Sequence, residues 1–135
     1  MNRKWLGLIA ACAVALQTLS CSSGQQLLSI NIAPAQIVFG AVDTALFAQL
    51  TATGVYAHPP ATKDITAQVT WSSAVPQVAL VTSTGRVTPN TNCGVSPITA
   101  TLQTNNPTGN IVVGTMSVTV DGPALSNCPT ATPTP

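Results

Sequence analysis

The chain is poor in charge. Of its 135 residues only 5% are charged, and the formal net charge is +1. The acidic residues are Asp43, Asp64 and Asp121, so the sequence contains no glutamate. Two of the four cations, Arg3 and Lys4, lie at the extreme N-terminus. Because clustered Lys and Arg are needed to neutralise phosphates, this composition argues against nucleic acid as a partner.

Residues that carry catalysis or bind metals are scarce as well. The one histidine, His58, precedes Pro59 and Pro60 in a predicted loop, without a base, a nucleophile or a second ligand beside it. Hydrolysis by paired carboxylates would need the fold to bring two dispersed aspartates together. A calcium site built from aspartates and backbone carbonyls lacks the usual loop spacing, and Asp121-Gly122 is typical of a turn. We therefore expect no catalytic residue, no metal site and no cofactor.

The N-terminus carries the most specific local signal. A basic stretch, Asn2-Arg3-Lys4, is followed by an apolar run over residues 5–16 that is too short for a stable membrane span. This pattern predicts a signal peptide over residues 1–20. Cleavage by ordinary signal peptidase near Ala11-Cys12-Ala13 would release a soluble protein, and it is the alternative to the lipoprotein processing considered next.

The segment Thr18-Leu19-Ser20-Cys21 resembles the lipobox of bacterial lipoproteins, although Thr18 stands where that pattern prefers leucine. The resemblance implies lipidation of Cys21, export to the bacterial cell envelope and, because Ser22 follows, sorting to the outer membrane in a host with two membranes. Two acyl chains suffice for stable anchoring, at roughly 0.8 kcal/mol per buried methylene. Residues 21–26 would then form the lipidated cysteine and a flexible polar tether.

The remaining cysteines form an even pair. Cys12 would leave with the signal peptide and Cys21 would be lipidated, so Cys93 and Cys128 remain in an oxidising compartment. We predict a disulfide between them, which would stabilise the fold by roughly 3 to 4 kcal/mol on the chain-entropy model. The alternative of a metal or redox pair would need further ligands or a C-x-x-C spacing, and the sequence offers neither.

The mature chain has the pattern of an all-β domain. Apolar and polar residues alternate most clearly over 46–56, where Phe47 is the exception on the polar face, and over 65–73. Prolines and glycines punctuate the chain between such runs, which favours a sandwich or barrel. The predicted strands are Leu28–Ile32, Gln36–Phe39, Leu46–Tyr56, Ile65–Ser73, Val78–Thr82, Arg86–Thr88, Ile98–Thr104 and Ile111–Val120.

A series of short motifs resembles the group 2 bacterial Ig-like domain. The most telling pieces are Asp64-Ile65-Thr66, Val69-Thr70-Trp71-Ser72-Ser73 and Gly85-Arg86-Val87-Thr88. The resemblance covers residues 27–122 and implies an immunoglobulin-like Greek-key β-sandwich of about 7 to 8 short strands. It makes Trp71, Gly85 and Tyr56 core signature residues. The segment around Cys93 departs from the family pattern, which suggests a staple to Cys128.

These observations lead to an expected function. The resemblance implies a non-catalytic lipoprotein with one Ig-like domain, held at the membrane by its N-terminal lipid. Its domain would act as a surface adhesion, binding or structural module toward an extracellular or envelope protein or a glycan. The alternative is an accessory lipoprotein that docks on a larger envelope complex, and an enzyme is the least favoured class. Residues 123–135, rich in Pro and Thr, are expected to form an extended tail.

Overall fold

A computed structural model describes residues 25–105 and 109–122. Within these residues the protein is all-β, as the sequence predicts, and no helix has the length and apolarity of a membrane span. The described residues form ten strands, and their bounds are β1 Gln26–Ala33, β2 Gln36–Phe39, β3 Ala48–Gln49, β4 Thr51–Ala57, β5 Ala61–Asp64, β6 Thr70–Ser73, β7 Ala79–Val81, β8 Arg86–Pro89, β9 Gly94–Gln103 and β10 Ile111–Val120.

The strands form three sheets, with orders β1-β4-β5, β2-β10-β9-β6 and β3-β8-β7. Only Leu50 separates β3 from β4, so the chain passes there from one sheet into another. All pairings are antiparallel except that of β2 with β10. Inward-facing side chains from all three sheets build one apolar core, an arrangement consistent with a β-sandwich.

The two segments with the clearest alternation differ from the strands predicted there. The segment 46–56 is interrupted at Leu50, whose N–H donates to the Gly85 carbonyl at 2.8 Å. In the segment 65–73 only Thr70–Ser73 is a strand, because residues 65–69 form a turn in which the Val69 N–H donates to the Ile65 carbonyl at 3.1 Å. The interruption and the unpredicted β5 raise the number of strands from eight to ten.

Strand registers place the two described ends of the chain at opposite ends of the domain. At the start of β1, Gln26 pairs with Ala57, and at its end Ala33 pairs with Thr51. Strand β10 follows the same direction, because its middle contacts the middle of β1 and its last residue, Val120, pairs with Phe39 at the end of β2. The chain therefore enters beside the β4–β5 turn and leaves at the far end.

Candidate functional site

The turn before β6 is held by a network of short polar contacts. Asp64 Oδ1 accepts a hydrogen bond from the Thr66 N–H at 2.9 Å, and Thr66 Oγ1 accepts one from the Ala52 N–H at 2.9 Å. The Ile65 N–H donates to the Ala52 carbonyl at 2.8 Å. Hydrogen bonds from the side chain and then the backbone of Thr66 hold the pKa of the exposed Asp64 carboxyl below its ordinary value. The Asp-Ile-Thr motif thus connects the turn of residues 65–69 to β4 by hydrogen bonds.

Trp71 and Gly85, two of the predicted core signature residues, lie in direct contact. Trp71 is 8% exposed, and its Nε1–H donates to the Thr66 carbonyl at 3.1 Å. Gly85 has a φ of +80°, and a Cβ there would lie 3.2 Å from the indole ring and 3.0 Å from the Leu50 carbonyl oxygen. Glycine is therefore required both by the backbone conformation and by the close approach of the ring.

Tyr56, the third predicted signature residue, lies apart from these two at the end of the domain where the chain enters. It is half-buried at the end of β4, and the Lys63 ammonium lies 5.1 Å from its ring centroid. Lys63 also donates to the side-chain oxygen of Gln25, whose Nε2 donates to the Pro59 carbonyl. These contacts fasten the first described residue to the β4–β5 hairpin.

A pair of serines, Ser96 buried and Ser73 half-buried, joins the neighbouring strands β6 and β9. Ser96 is fully buried, and its hydroxyl lies 2.9 Å from that of Ser73 and accepts the Val75 N–H at 3.1 Å. Ser73 Oγ donates to the Ala79 carbonyl at 2.7 Å and so bridges to β7. The sequence pattern does not single out Ser96, because the predicted strand begins at Ile98. Extending the alternation of Ile98 and Ala100 backwards would have placed it inward.

Replacing Ser96 with alanine is expected to lower the free energy of unfolding by about 1 to 3 kcal/mol. The change leaves the N–H of the half-buried Val75 without its acceptor and breaks the link between β6 and β9. Urea unfolding followed by circular dichroism measures the loss. Ser72 is exposed on the same strand as Ser73, so Ser72→Ala is the control and should leave stability nearly unchanged. An equal effect of the two changes would contradict this account.

The residues considered for catalysis or metal binding are not brought together. His58 is exposed in the β4–β5 turn, whereas Asp43 and Asp121 lie in loops at the opposite end of the domain. Asp43 Oδ1 accepts the Ala45 N–H at 2.8 Å, which is an ordinary turn contact. Among residues 25–105 and 109–122, no three His, Cys, Asp or Glu side chains are grouped so that they could hold a metal ion.

The predicted lipidation and disulfide sites stay predictions. Cys21 and Cys128 lie outside the described residues, as do the signal peptide and the tail. Cys93 is half-buried immediately before β9, at the end of the domain where the described chain leaves. The predicted disulfide would therefore lie near the point where the described chain ends.

The sheet β3-β8-β7 presents a distinct outward face. Val87 is fully buried, so its neighbours Arg86 and Thr88 face outward. Gln49 pairs with Arg86, and Leu80 pairs with Thr88. Because paired residues lie on the same side of a sheet, Gln49 and Leu80 also face outward. The Phe47 face is defined as Phe47, Gln49, Leu80, Arg86 and Thr88.

Phe47 itself extends this face, since it lies two residues before Gln49. Its side chain is 57% exposed, and that of Leu80 is 45% exposed. The carbon at the centre of the Arg86 guanidinium lies 3.9 Å from the centroid of the Phe47 ring. Phe47, which interrupts the alternation of segment 46–56, therefore faces solvent and stacks against the Arg86 guanidinium.

A scan against protein-family models and a search of curated proteins found no match to this chain.

Proposed function

We propose that the protein is a non-catalytic lipoprotein of the bacterial cell envelope, with one Ig-like domain over residues 27–122 that acts as an adhesion, binding or structural module. The lipobox-like segment at Cys21 supports the anchor. Trp71 in the core and the contacts of Asp64, Thr66 and Gly85 around it support the Ig-like assignment, because each signature residue has a scaffold role.

Strand connectivity also supports an Ig-like Greek-key sandwich. After Ala33 the chain turns at Pro34 and passes from the sheet of β1 to the opposite one, where β2 pairs in parallel with β10. The remaining pairs are antiparallel, and Trp71 on β6 packs between the layers with Leu50 and Gly85. Both features support a sandwich whose layers pack around a buried tryptophan.

The observation that carries the proposal is the opposite placement of the two described ends. Cys21 precedes Gln25 by four residues, which span at most about 14 Å when fully extended. A lipid on Cys21 would therefore hold the β4–β5 turn close to the membrane. The opposite end, with Cys93 and Asp121, would point away from it and present the domain to the surroundings.

Replacing Cys21 with alanine is expected to move the protein from the membrane fraction to the soluble fraction. The variant lacks the thiol that would carry the lipid, and no second anchor is proposed. Fractionation of cells followed by immunoblotting measures the partition, and mass spectrometry of the mature N-terminus reports the modification. Ser22→Ala is the control and should stay in the membrane fraction. Unchanged partition of the Cys21 variant would rule out this anchor.

The alternative of an accessory lipoprotein that docks on a larger envelope complex is favoured by one observation. Eight large apolar side chains are more than a third exposed among the described residues. Exposed apolar area of this kind is typical of protein contact sites when it is contiguous. Sedimentation of the solubilised protein from native membranes distinguishes the two, because docking predicts a defined large complex and a free module predicts a monomer.

A further inference from the structure

The Phe47 face has the composition of a protein contact site. It joins an exposed aromatic ring, an arginine and an aliphatic side chain within a few residues of one short sheet. Residues that contribute most to protein binding are enriched in aromatic side chains and arginine. Phe47 and Leu80 make no contribution to the buried core, so the scaffold does not explain them.

Arg86 is placed to receive a ligand. Stacking on the Phe47 ring restrains the guanidinium, whose N–H donors lie in its own plane and can remain available. Within residues 25–105 and 109–122 the guanidinium makes no hydrogen bond or ion pair. Lys63, the other long cationic side chain there, is engaged with Gln25 and Tyr56 at the entry end of the domain.

We infer that the Phe47 face binds a segment of a partner protein in which a carboxylate lies beside apolar side chains. The carboxylate supplies the negative charge that Arg86 lacks and matches the guanidinium with two parallel hydrogen bonds. The apolar neighbours cover Phe47 and Leu80, which offer hydrocarbon surface. This composition favours a peptide over an acidic glycan. The inference deepens the proposed binding role and does not depend on lipidation.

Peptide binding tests this inference directly. The mature chain in detergent is titrated into fluorescent peptides with a Leu-Asp-Leu or Leu-Glu-Leu centre, and into the same peptides with Asn or Gln at the centre. Fluorescence anisotropy should show binding of the acidic peptides, with affinity lower by roughly tenfold for the neutral ones. Arg86→Gln should weaken the acidic peptides by roughly tenfold and the neutral ones little, since only the charged pair is coupled.

Matched controls separate this site from general charge effects. Lys63→Gln removes the other cation and should leave the affinities unchanged, whereas Phe47→Ala should weaken both kinds of peptide. Circular dichroism of each variant checks that the fold is retained, which is expected because these side chains face solvent. The Cys21→Ala protein should bind the peptides as well as the parent, so failure of the anchor is distinguished from failure of this site.

Three outcomes of the peptide titrations would overturn the inference. They are no binding of the acidic peptides, equal affinity for acidic and neutral peptides, and no effect of Arg86→Gln. A further titration uses polygalacturonate as the acidic glycan. Tighter binding of polygalacturonate than of any peptide, lost in Arg86→Gln, would assign the face to a carboxylate-bearing glycan and would reject the protein partner.

Discussion

Replacing Trp71 with alanine is expected to lower the free energy of unfolding by about 3 to 5 kcal/mol. The indole ring is 8% exposed, contacts Gly85 and donates a hydrogen bond to the Thr66 carbonyl, so its removal leaves a cavity and loses that contact. Gly85 has no side chain to fill the space. Urea unfolding followed by circular dichroism is the suitable measurement, because the change removes the tryptophan that fluorescence would report.

Two companion variants make the Trp71 result specific. Trp71→Phe keeps an aromatic ring in the core and should cost less than the alanine variant, although it still loses the hydrogen bond to Thr66. Phe47→Ala removes an exposed ring and should change stability by about 0.5 kcal/mol or less. A loss below about 1 kcal/mol for Trp71→Ala would mean that the indole is exposed and available as a ligand platform.

Replacing Gly114 with alanine is expected to lower the free energy of unfolding by about 3 kcal/mol, the upper part of the usual range for overpacking. A Cβ on this β10 residue would lie 2.6 Å from the Ile30 carbonyl oxygen and 3.0 Å from the Ile30 Cγ2. The nearest atom belongs to the backbone of β1, so relief requires the two facing layers to move apart. Thermal and urea unfolding both report the change.

Gly40 provides the matched control, because no atom lies within 4 Å of a Cβ built there. Gly40→Ala should therefore leave stability nearly unchanged or raise it slightly. Adding Ile30→Val to the Gly114 variant should not restore stability, since the closest contact is to a carbonyl oxygen that valine retains. Valine also retains the Cβ and Cγ2 that would lie within 3.1 Å, so restoration by that change would contradict this account.

The alternation of side chains predicts much of this fold. Strands β2 and β10 have the predicted bounds. In the two segments with the clearest alternation, most inward positions are buried, but Leu46 and Ala67 are exposed. This works because a half-buried strand imposes a period of two on its sequence. Trp71 and Gly85 are both buried and lie in contact with each other.

Alternation fails where local hydrogen bonds replace the strand ladder. Ile65, Ala67 and Val69 alternate with polar residues, but Asp64 and Thr66 bond to neighbouring N–H groups and hold this segment in a turn. Side-chain oxygens of Asp and Thr offer such alternatives to the ladder. The period alone cannot distinguish a strand from a turn whose inward positions happen to match.

Proline is also an unreliable signal for the end of a strand. Pro97 directly precedes the predicted strand Ile98–Thr104 but stands inside β9. Its partner on β10, Ser117, donates its N–H to the Ala35 carbonyl instead of to Pro97. On the other side β6 ends at Ser73, which pairs with Ile98. One residue beyond β6, the Ala74 N–H donates to the Pro97 carbonyl at 2.9 Å. The missing proline N–H therefore faces the position just past the end of β6, a condition that depends on tertiary pairing.

The Phe47 face and the serine pair illustrate two further limits. The outward direction of Phe47 follows from the pattern, because it interrupts the polar face of its segment. Its pairing with Arg86 does not, since the two residues meet only when β3 and β8 are aligned. The link between Ser73 and Ser96 likewise depends on strands that are distant in sequence.

The position of β10 has a consequence for biosynthesis. This strand is the last of the described chain, yet it lies inside the four-stranded sheet between β2 and β9. Until residues 111–120 have left the ribosome, β2 lacks a neighbour and the hydrophobic interior cannot close. The nascent polypeptide thus stays incompletely folded through most of its synthesis. Such delay would suit the proposed export, in which a precursor crosses a membrane before it acquires its final shape.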